Sequence, residues 1–389
     1  MKNRFIWLLS SGHMCTDLNQ GALTAILPFL IMERDLTYTA AAGLVFAATF
    51  ISSVIQPVFG HFADKASKPW LIPAGLLMAG LGLAATGFLT DYWSLFGAVT
   101  ISGIGIAAFH PEAARVANHV SGAKKGTGIS IFAVGGTVGF ALGPVVATSA
   151  LLIWGMKGTV VLIVPAVLMA AVLMAAAKRM QEFQPGAKVP DHVNTPVTTC
   201  DEWGPFSKLT IIVFCRSIIF YGLNTFIPLY WIHIFQQSNA AGGTALTILF
   251  AIGAVGTLSG GRLADRFGHI KMIRIGCAAL LPLLLAFAYI DNVTLATLLL
   301  IPIGLALFGP YSPMVVLGQK YLSNRIGLAS GVTLGLAVSV GGIVTPMLGW
   351  YADHYGLPAA MQLLAYVPIA AAVMAFTLPA PGRTASANQ

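Results

Sequence analysis

Long uninterrupted apolar segments are the feature that most constrains this chain. Twelve of them, each of about 20 residues or more, follow one another with short connections. A helix of about 20 apolar residues spans the hydrocarbon core of a bilayer, whereas barrel strands are shorter and alternate. Only 9% of the residues are charged, too few for the surface of a soluble domain. The sequence therefore predicts an all-α membrane protein with 12 transmembrane helices.

The positive charge of the chain lies on one side of these spans. The formal net charge is +8, and of the 21 Lys and Arg residues only Arg34, Lys157 and Arg216 fall elsewhere. Such a bias marks cytoplasmic loops. We therefore expect a multi-pass inner-membrane protein with both termini in the cytoplasm, in contact with lipid and without a nucleic-acid partner.

The apolar segments form two similar halves. We expect six-helix bundles at 1–177 and 208–389, joined by a polar cytoplasmic linker at 178–207. The segment GHFADK at 60–65 corresponds to GRLADR at 261–266, about 200 residues later. Parallel repeats of this kind are typical of transporters that bind substrate near the midplane between the halves.

The loops after spans 2 and 8 each carry a glycine, an acid and a base. These residues are Gly60, Asp64 and Lys65 in the first half, and Gly261, Asp265 and Arg266 in the second. The pattern resembles the loop signature of the major facilitator superfamily, which implies two pseudo-symmetric halves and a gate that these residues stabilise. The alternative is that they are ordinary loop charges.

Span 5 carries a glycine at every fourth position, at 135, 139 and 143, and then Pro144. Small residues at this spacing let two helices approach closely. The run resembles the span-5 signature of the superfamily's antiporters, which implies a gating role for Gly143 and Pro144. The alternative is a packing stripe alone.

Span 1 carries an acid near the middle of the membrane. His13, Gln20 and Thr24 share a helix face with Asp17. Ionisable groups at this depth are functional candidates by default. We expect Asp17 and His13 to load and release a proton, with Gln20 and Thr24 lining the substrate path. The alternative is a polar cluster that only joins helices.

Span 4 contains a second polar run, His110-Pro111-Glu112, followed by Arg115. His110 and Glu112 suit proton transfer, and Arg115 can pair with Glu112. The alternative is an interfacial salt bridge. His13 lies in a different span from His110 and Glu112, and nothing in the sequence joins the two spans, so we predict no metal site.

Span 7 contains Arg216 about a third of the way across the membrane, with Tyr221 and Asn224 beyond it. A buried arginine needs a carboxylate partner or an anionic ligand. We predict that the three residues bind substrate. The alternatives for Arg216 are an internal ion pair or an extended side chain that reaches the surface.

Taken together, these residues resemble the fosmidomycin-resistance-type branch of the major facilitator superfamily over nearly the whole chain. The most discriminating match is the Phe109–Glu112 run, followed by Gln56-Pro57-Val58 and Leu142-Gly143-Pro144. The resemblance implies a proton-driven exporter, since the best-known members confer resistance to a small phosphonate antibiotic.

We therefore expect a monomeric proton antiporter, and not an enzyme, that exports a small polar, anionic or zwitterionic compound. The sequence has no nucleotide-binding loop, which argues against ATP drive, and no nucleophile with a base, which argues against an enzyme. No cofactor is expected. Three alternatives remain open: a proton-coupled importer of an organic acid or sugar, an exporter of a metal-chelating metabolite, and a receptor without transport.

Overall fold

The computed structural model describes residues 2–65, 68–121, 125–181, 201–325, 328–329 and 331–381. It consists of two compact units, residues 1–195 and 196–389. The division between them lies inside the predicted linker, and the flanking helices run a few residues into it, to Gln181 and from Trp203.

The first unit is built from six α-helices. These are α1 (Lys2–Arg34), α2 (Tyr38–Lys65), α3 (Leu71–Ala85), α4 (Tyr92–Val120), α5 (Lys125–Trp154) and α6 (Ile163–Gln181). A 3₁₀ segment, Gly155–Leu162, joins the last two.

The second unit contains seven described α-helices. They are α7 (Trp203–His233), α8 (Asn239–Phe267), α9 (His269–Tyr289), α10 (Val293–Phe308), α11 (Tyr311–Tyr321), α12 (Ala337–Tyr355) and α13 (Leu357–Phe376). Only Gly309-Pro310 separates α10 from α11, and a π-helical segment, Gly331–Leu336, leads directly into α12. Each of these two pairs acts as one membrane span, which gives six spans.

Most of the described helices are long and apolar enough to cross a membrane. Nine such stretches occur in the described residues, and the longest, Ile131–Ala177, holds both α5 and α6. The set of twelve is completed by α1, which has 33 residues but carries polar side chains, and by α3, which has 15. The fold predicted from the sequence is therefore confirmed.

The glycine stripe of α5 packs on α1. A Cβ atom added at Gly135, Gly139 or Gly143 would lie 2.1–2.4 Å from a backbone oxygen of α1, at Ser10, Met14 and Leu18 respectively. Contacts this close exclude any side chain, so the two helices approach backbone to backbone. This packing fixes the position of the polar face of α1 against α5.

An apolar cluster surrounds the N-terminal part of that polar face. Leu9 of α1, Phe109 of α4 and Leu173 of α6 are completely buried in it. The cluster brings α4 against α1, which is what places the polar run of span 4 beside that of span 1.

Candidate functional site

A buried carboxylate on α1 lies between two histidines from different helices. Asp17 Oδ2 is 3.2 Å from His13 Nε2, and Asp17 Oδ1 is 3.1 Å from His110 Nε2. The two Nε2 atoms are themselves 3.2 Å apart. Asp17 is 5% exposed and His13 is 9% exposed. We call His13, Asp17 and His110 the acid–histidine cluster.

Local helix geometry explains how each member reaches the cluster. His13 and Asp17 are four residues apart, so they lie one above the other on α1. His110 comes from α4, and its ring meets that of His13 edge to face, with centroids 5.0 Å apart. On its other side the His13 ring stacks on Phe132 of α5 at 4.2 Å. Three helices therefore hold the cluster.

Backbone carbonyls determine which nitrogen of each histidine faces the acid. His13 Nδ1 is 2.8 Å from the Phe132 carbonyl oxygen, and His110 Nδ1 is 2.9 Å from that of Ile106. Because a carbonyl oxygen only accepts, each Nδ1 must carry the hydrogen and donate it. Both Nε2 atoms are left free to bind a proton or another cation beside the carboxylate.

The charge of the cluster depends on what it binds. The described contacts of Asp17 include no lysine or arginine, only the two histidines. A buried carboxylate without a permanent positive partner is strongly unfavourable in a membrane. When one histidine binds a proton, its positive charge balances the negative charge of Asp17 and the cluster becomes neutral. Proton binding therefore stabilises this buried region.

Gly136 of α5 provides the space for the cluster. A Cβ atom at this position would lie 2.5 Å from both Asp17 Oδ2 and His13 Nε2. Such distances are far below van der Waals contact, so even alanine would displace the acid or the imidazole. Sequence reasoning gave this residue no role, because it lies outside the stripe of glycines at 135, 139 and 143.

The other predicted residues of span 1 lie close to the cluster along the helix. Gln20 is half-buried, and Thr24 is buried and donates from its hydroxyl to the Gly21 carbonyl oxygen at 3.4 Å. They continue the polar face of α1 that begins at His13. Their role as substrate-lining residues stays a prediction.

Glu112 and Arg115 form an ion pair outside the cluster. Arg115 Nη2 is 2.7 Å from Glu112 Oε1, and Arg115 Nε is 3.0 Å from Oε2. Glu112 also accepts from the backbone N–H of Lys68 at 3.1 Å. Among the described residues, His13, Asp17 and His110 have possible metal-ligand atoms within 4.8 Å of one another. Glu112 does not belong to this group. The geometry resembles the salt bridge that we considered as an alternative, because it ties α4 to the segment that precedes α3.

Arg216 lies in the second unit, against the face of Tyr311. Its guanidinium carbon is 4.7 Å from the ring centroid, and its Nε atom is buried without a hydrogen-bond partner among the described residues. Tyr221 and Asn224 of the same helix are buried. The guanidinium of Arg216 contacts an aromatic ring and forms no ion pair with a described carboxylate. It can therefore bind an anionic ligand.

The predicted gating residues are only partly described. Gly261, Asp265 and Arg266 lie in the last turns of α8, where Asp265 and Arg266 are exposed and Arg266 lies over the Phe267 ring at 5.3 Å. Gly143 and Pro144 lie in α5 at its contact with α1. The side chains of Gly60, Asp64 and Lys65 fall outside the described residues. A gating role for all of them stays a prediction.

These features agree with the comparisons with known proteins. Residues 9–346 match the family model described as Major Facilitator Superfamily. The chain belongs to the major facilitator superfamily. It is a multi-pass membrane transporter, and the superfamily membership confirms that it is not an enzyme.

Two similar curated members of the superfamily cover nearly the whole chain. An uncharacterized MFS-type transporter, YfnC, from Bacillus subtilis is 33% identical over 94% of this chain and 90% of its own length. The fosmidomycin resistance protein of Escherichia coli K12 is 30% identical over 93% of this chain and 89% of its own. The branch resemblance drawn from the sequence is thereby confirmed.

Solved structures agree on the superfamily fold. A bacterial homolog of the human lysosomal transporter Spinster, in an inward-facing and occupied conformation, has a TM-score of 0.80 with 15% identity and covers 96% of each chain. A variant of the nucleoside transporter NupG has a TM-score of 0.75 with 17% identity, covering 97% of this chain and 99% of that one. At these identities the likeness concerns the fold alone.

The geometry of Glu112 generates a stability prediction. We expect Arg115→Ala to destabilise the protein by roughly 3–5 kcal/mol, because it leaves a buried carboxylate without its bidentate partner. The matched control is Arg325→Ala, which breaks an exposed pair with Asp201 and should change stability by about 1 kcal/mol or less. Thermal unfolding of the two detergent-solubilised variants measures the difference. Equal shifts for the two variants would contradict the assignment of Glu112 to a buried pair.

Proposed function

We propose that this transporter is a proton-coupled antiporter that exports a small polar, anionic or zwitterionic compound of the phosphonate type. The observation that carries the proposal is the acid–histidine cluster, in which a buried carboxylate contacts one buried and one partly exposed imidazole of the first unit. An importer of an organic acid or sugar is the alternative, and it predicts the opposite sign of coupling.

The cluster suits proton coupling because it has few discrete charge states. With both Nδ1 atoms held by carbonyl oxygens, exchangeable protons reside on the two Nε2 atoms and on the carboxylate. A gain or loss of one proton changes the charge of a desolvated region by one unit. In a membrane interior such a change is worth several kcal/mol, enough to favour one transporter conformation over another.

In this proposal Gln20 and Thr24 extend the polar face that the substrate meets. Glu112 and Arg115 act on the proton site indirectly, because they fix α4 and so the position of His110. Antiport requires that the substrate and the proton stabilise different conformations, since a ligand shifts an equilibrium only through differential affinity.

Arg216 is the proposed site for the anionic group of the substrate. A guanidinium presents a planar set of donors that matches phosphonate or carboxylate oxygens, and its stacking on Tyr311 holds that plane in place. Tyr221 and Asn224 would add neutral hydrogen bonds. The name of the Escherichia coli relative, fosmidomycin resistance protein, supports a phosphonate as the first compound to test.

The remaining assignments belong to the same proposal. The protein functions as a monomer in a bacterial inner membrane with both termini in the cytoplasm. Residues at the ends of spans 2 and 8, Gly60, Asp64, Lys65, Gly261, Asp265 and Arg266, stabilise the outward-facing conformation, and Gly143 with Pro144 allows α5 to move against α1.

A proteoliposome experiment tests the coupling directly. Vesicles that contain the protein and a pH-sensitive dye in the lumen receive fosmidomycin, or a panel of other phosphonates and organic acids, on the outside, with a chelator present. Antiport predicts that the lumen becomes more alkaline as protons leave in exchange for substrate. Asp17→Asn should abolish this signal, because the carboxyl group no longer exchanges a proton.

The matched control is Asp91→Asn. Asp91 is exposed before α4 and caps that helix through Ser94, and asparagine caps equally well, so transport should be unchanged. Acidification of the lumen would establish symport and reject the exporter. Unchanged proton movement in Asp17→Asn would reject the cluster as the coupling site.

The role of Arg216 predicts a separate effect on substrate affinity. We expect Arg216→Gln to raise the KM for an anionic substrate by at least about tenfold, since charge-assisted hydrogen bonds contribute roughly 1.5–3 kcal/mol. Arg216→Lys should recover part of that loss, because it keeps the charge but not the planar donor set. Arg179→Gln, at an exposed position of α6, serves as the control. A KM that is equal in all variants would exclude Arg216 from the substrate site.

A further inference from the structure

The donor atoms of the acid–histidine cluster have the separations of a transition-metal site. His13 Nε2 lies 3.2 Å from Asp17 Oδ2, His110 Nε2 lies 3.1 Å from Asp17 Oδ1, and the two Nε2 atoms are 3.2 Å apart. Ligands at 2.0–2.1 Å from a tetrahedral zinc ion are about 3.3 Å from one another. One donor atom from each of the three side chains lies within 4.8 Å of the other two, so the three side chains converge on a region that a single cation can occupy.

One oxygen of the carboxylate lies beside an imidazole nitrogen whose ring hydrogen is on the other nitrogen. Asp17 Oδ1 is buried and has no hydrogen-bond partner among the described residues, although His110 Nε2 is only 3.1 Å away. Because His110 Nδ1 carries the hydrogen of the neutral ring, Nε2 presents a lone pair to this oxygen and does not donate to it. An oxygen in this position, within a residue that is 5% exposed, is stabilised by a proton or a metal ion that it shares with the nitrogen.

The groups around the histidines are those that usually support metal ligands. Each ring donates Nδ1–H to a backbone carbonyl oxygen, from Phe132 and Ile106 respectively. Metal-bound histidines almost always make such a bond, because it fixes the ring and leaves the lone pair of the other nitrogen for the metal. The stacking of His13 on Phe132 further fixes the orientation of one ring.

No side chain of α5 occupies the position beside the cluster at Gly136. Gly136 has no Cβ atom, and one placed there would lie 2.5 Å from both His13 Nε2 and Asp17 Oδ2. The absence of a side chain therefore keeps two of the ligands accessible. Three protein ligands with a free position are the arrangement of zinc sites that also bind an exogenous group.

From these four observations we propose that His13, Asp17 and His110 bind a divalent transition-metal ion of the Zn²⁺, Co²⁺ or Ni²⁺ class. The imidazole and carboxylate donors match the preferences of these ions. A metal ion and a proton require the same nitrogen lone pairs, so they exclude each other at the cluster. The inference concerns a binding site and does not depend on the direction or the coupling of transport.

Cobalt is the probe of choice, because tetrahedral Co²⁺ has a visible absorption band that reports its ligands. The full-length protein is purified in detergent with an affinity tag that contains no histidine, and it is titrated with CoCl₂. We expect one saturable site per chain, with Zn²⁺ displacing the cobalt. His110→Gln and Asp17→Asn should each weaken binding by more than about tenfold, since changes of even outer-shell partners have effects of 10–100-fold.

Two controls separate ligand loss from misfolding. His354→Gln changes an exposed histidine of α12 and should bind cobalt as the wild type does. Gly136→Ala should weaken binding, whereas Gly97→Ala, where a Cβ meets no atom within 4 Å, should not. Binding that persists in His110→Gln and Asp17→Asn, or the absence of a saturable cobalt band in the wild type, would overturn the proposal. The vesicle experiment runs in a chelator, so its result is independent of this one.

Discussion

A single carboxylate, that of Asp17, sets the requirements for the surrounding structure. An ionised acid inside a bilayer needs compensation that apolar helices do not supply. Here it comes from two imidazoles on two helices, both 3.1–3.2 Å from the carboxylate oxygens. An imidazole compensates a negative charge only when it carries a proton or shares a bound cation, so the electrostatic balance depends on a ligand that can leave. Because of that dependence, the cluster is suitable for coupling the binding of a proton to a change of conformation.

Helix packing in the first unit determines the position of this cluster. The glycine stripe of α5 brings α1 to backbone contact, and Gly136, one residue from the stripe, leaves space for the acid. The buried pair of Glu112 and Arg115 fixes α4 in the next turn after His110. A displacement of α1 against α4 or α5 would therefore change the distances between the donors, and a change in what they bind would act back on the helices.

Much of the fold could be predicted from the sequence, because few backbone structures can span a lipid bilayer. Apolar runs of about 20 residues must be helices, and the pairing of His13 with Asp17 follows from their spacing of four. The partner from span 4 was harder to choose. His110 and Glu112 are two residues apart, so they point to different sides of α4, and only the packing shows that His110 joins the cluster while Glu112 pairs with Arg115.

The roles of residues that depend on contacts between helices could not be predicted from the sequence in the same way. Gly136 contributes by having no side chain, and Tyr311 reaches Arg216 from another helix. Neither role has a signature within its own segment. The break at Gly309-Pro310, directly before Tyr311, marks an irregular point in the span but does not identify Arg216 as the partner of Tyr311.

Release of protons on substrate binding tests the central claim most directly. The purified wild-type protein, in weakly buffered detergent solution with a pH indicator and a chelator, receives the compound that the vesicle experiment identifies as transported. If binding of substrate and protonation of the cluster oppose each other, the wild type releases protons into solution and Asp17→Asn does not. Equal release from both proteins, or substrate binding by the wild type without any release, would contradict the account.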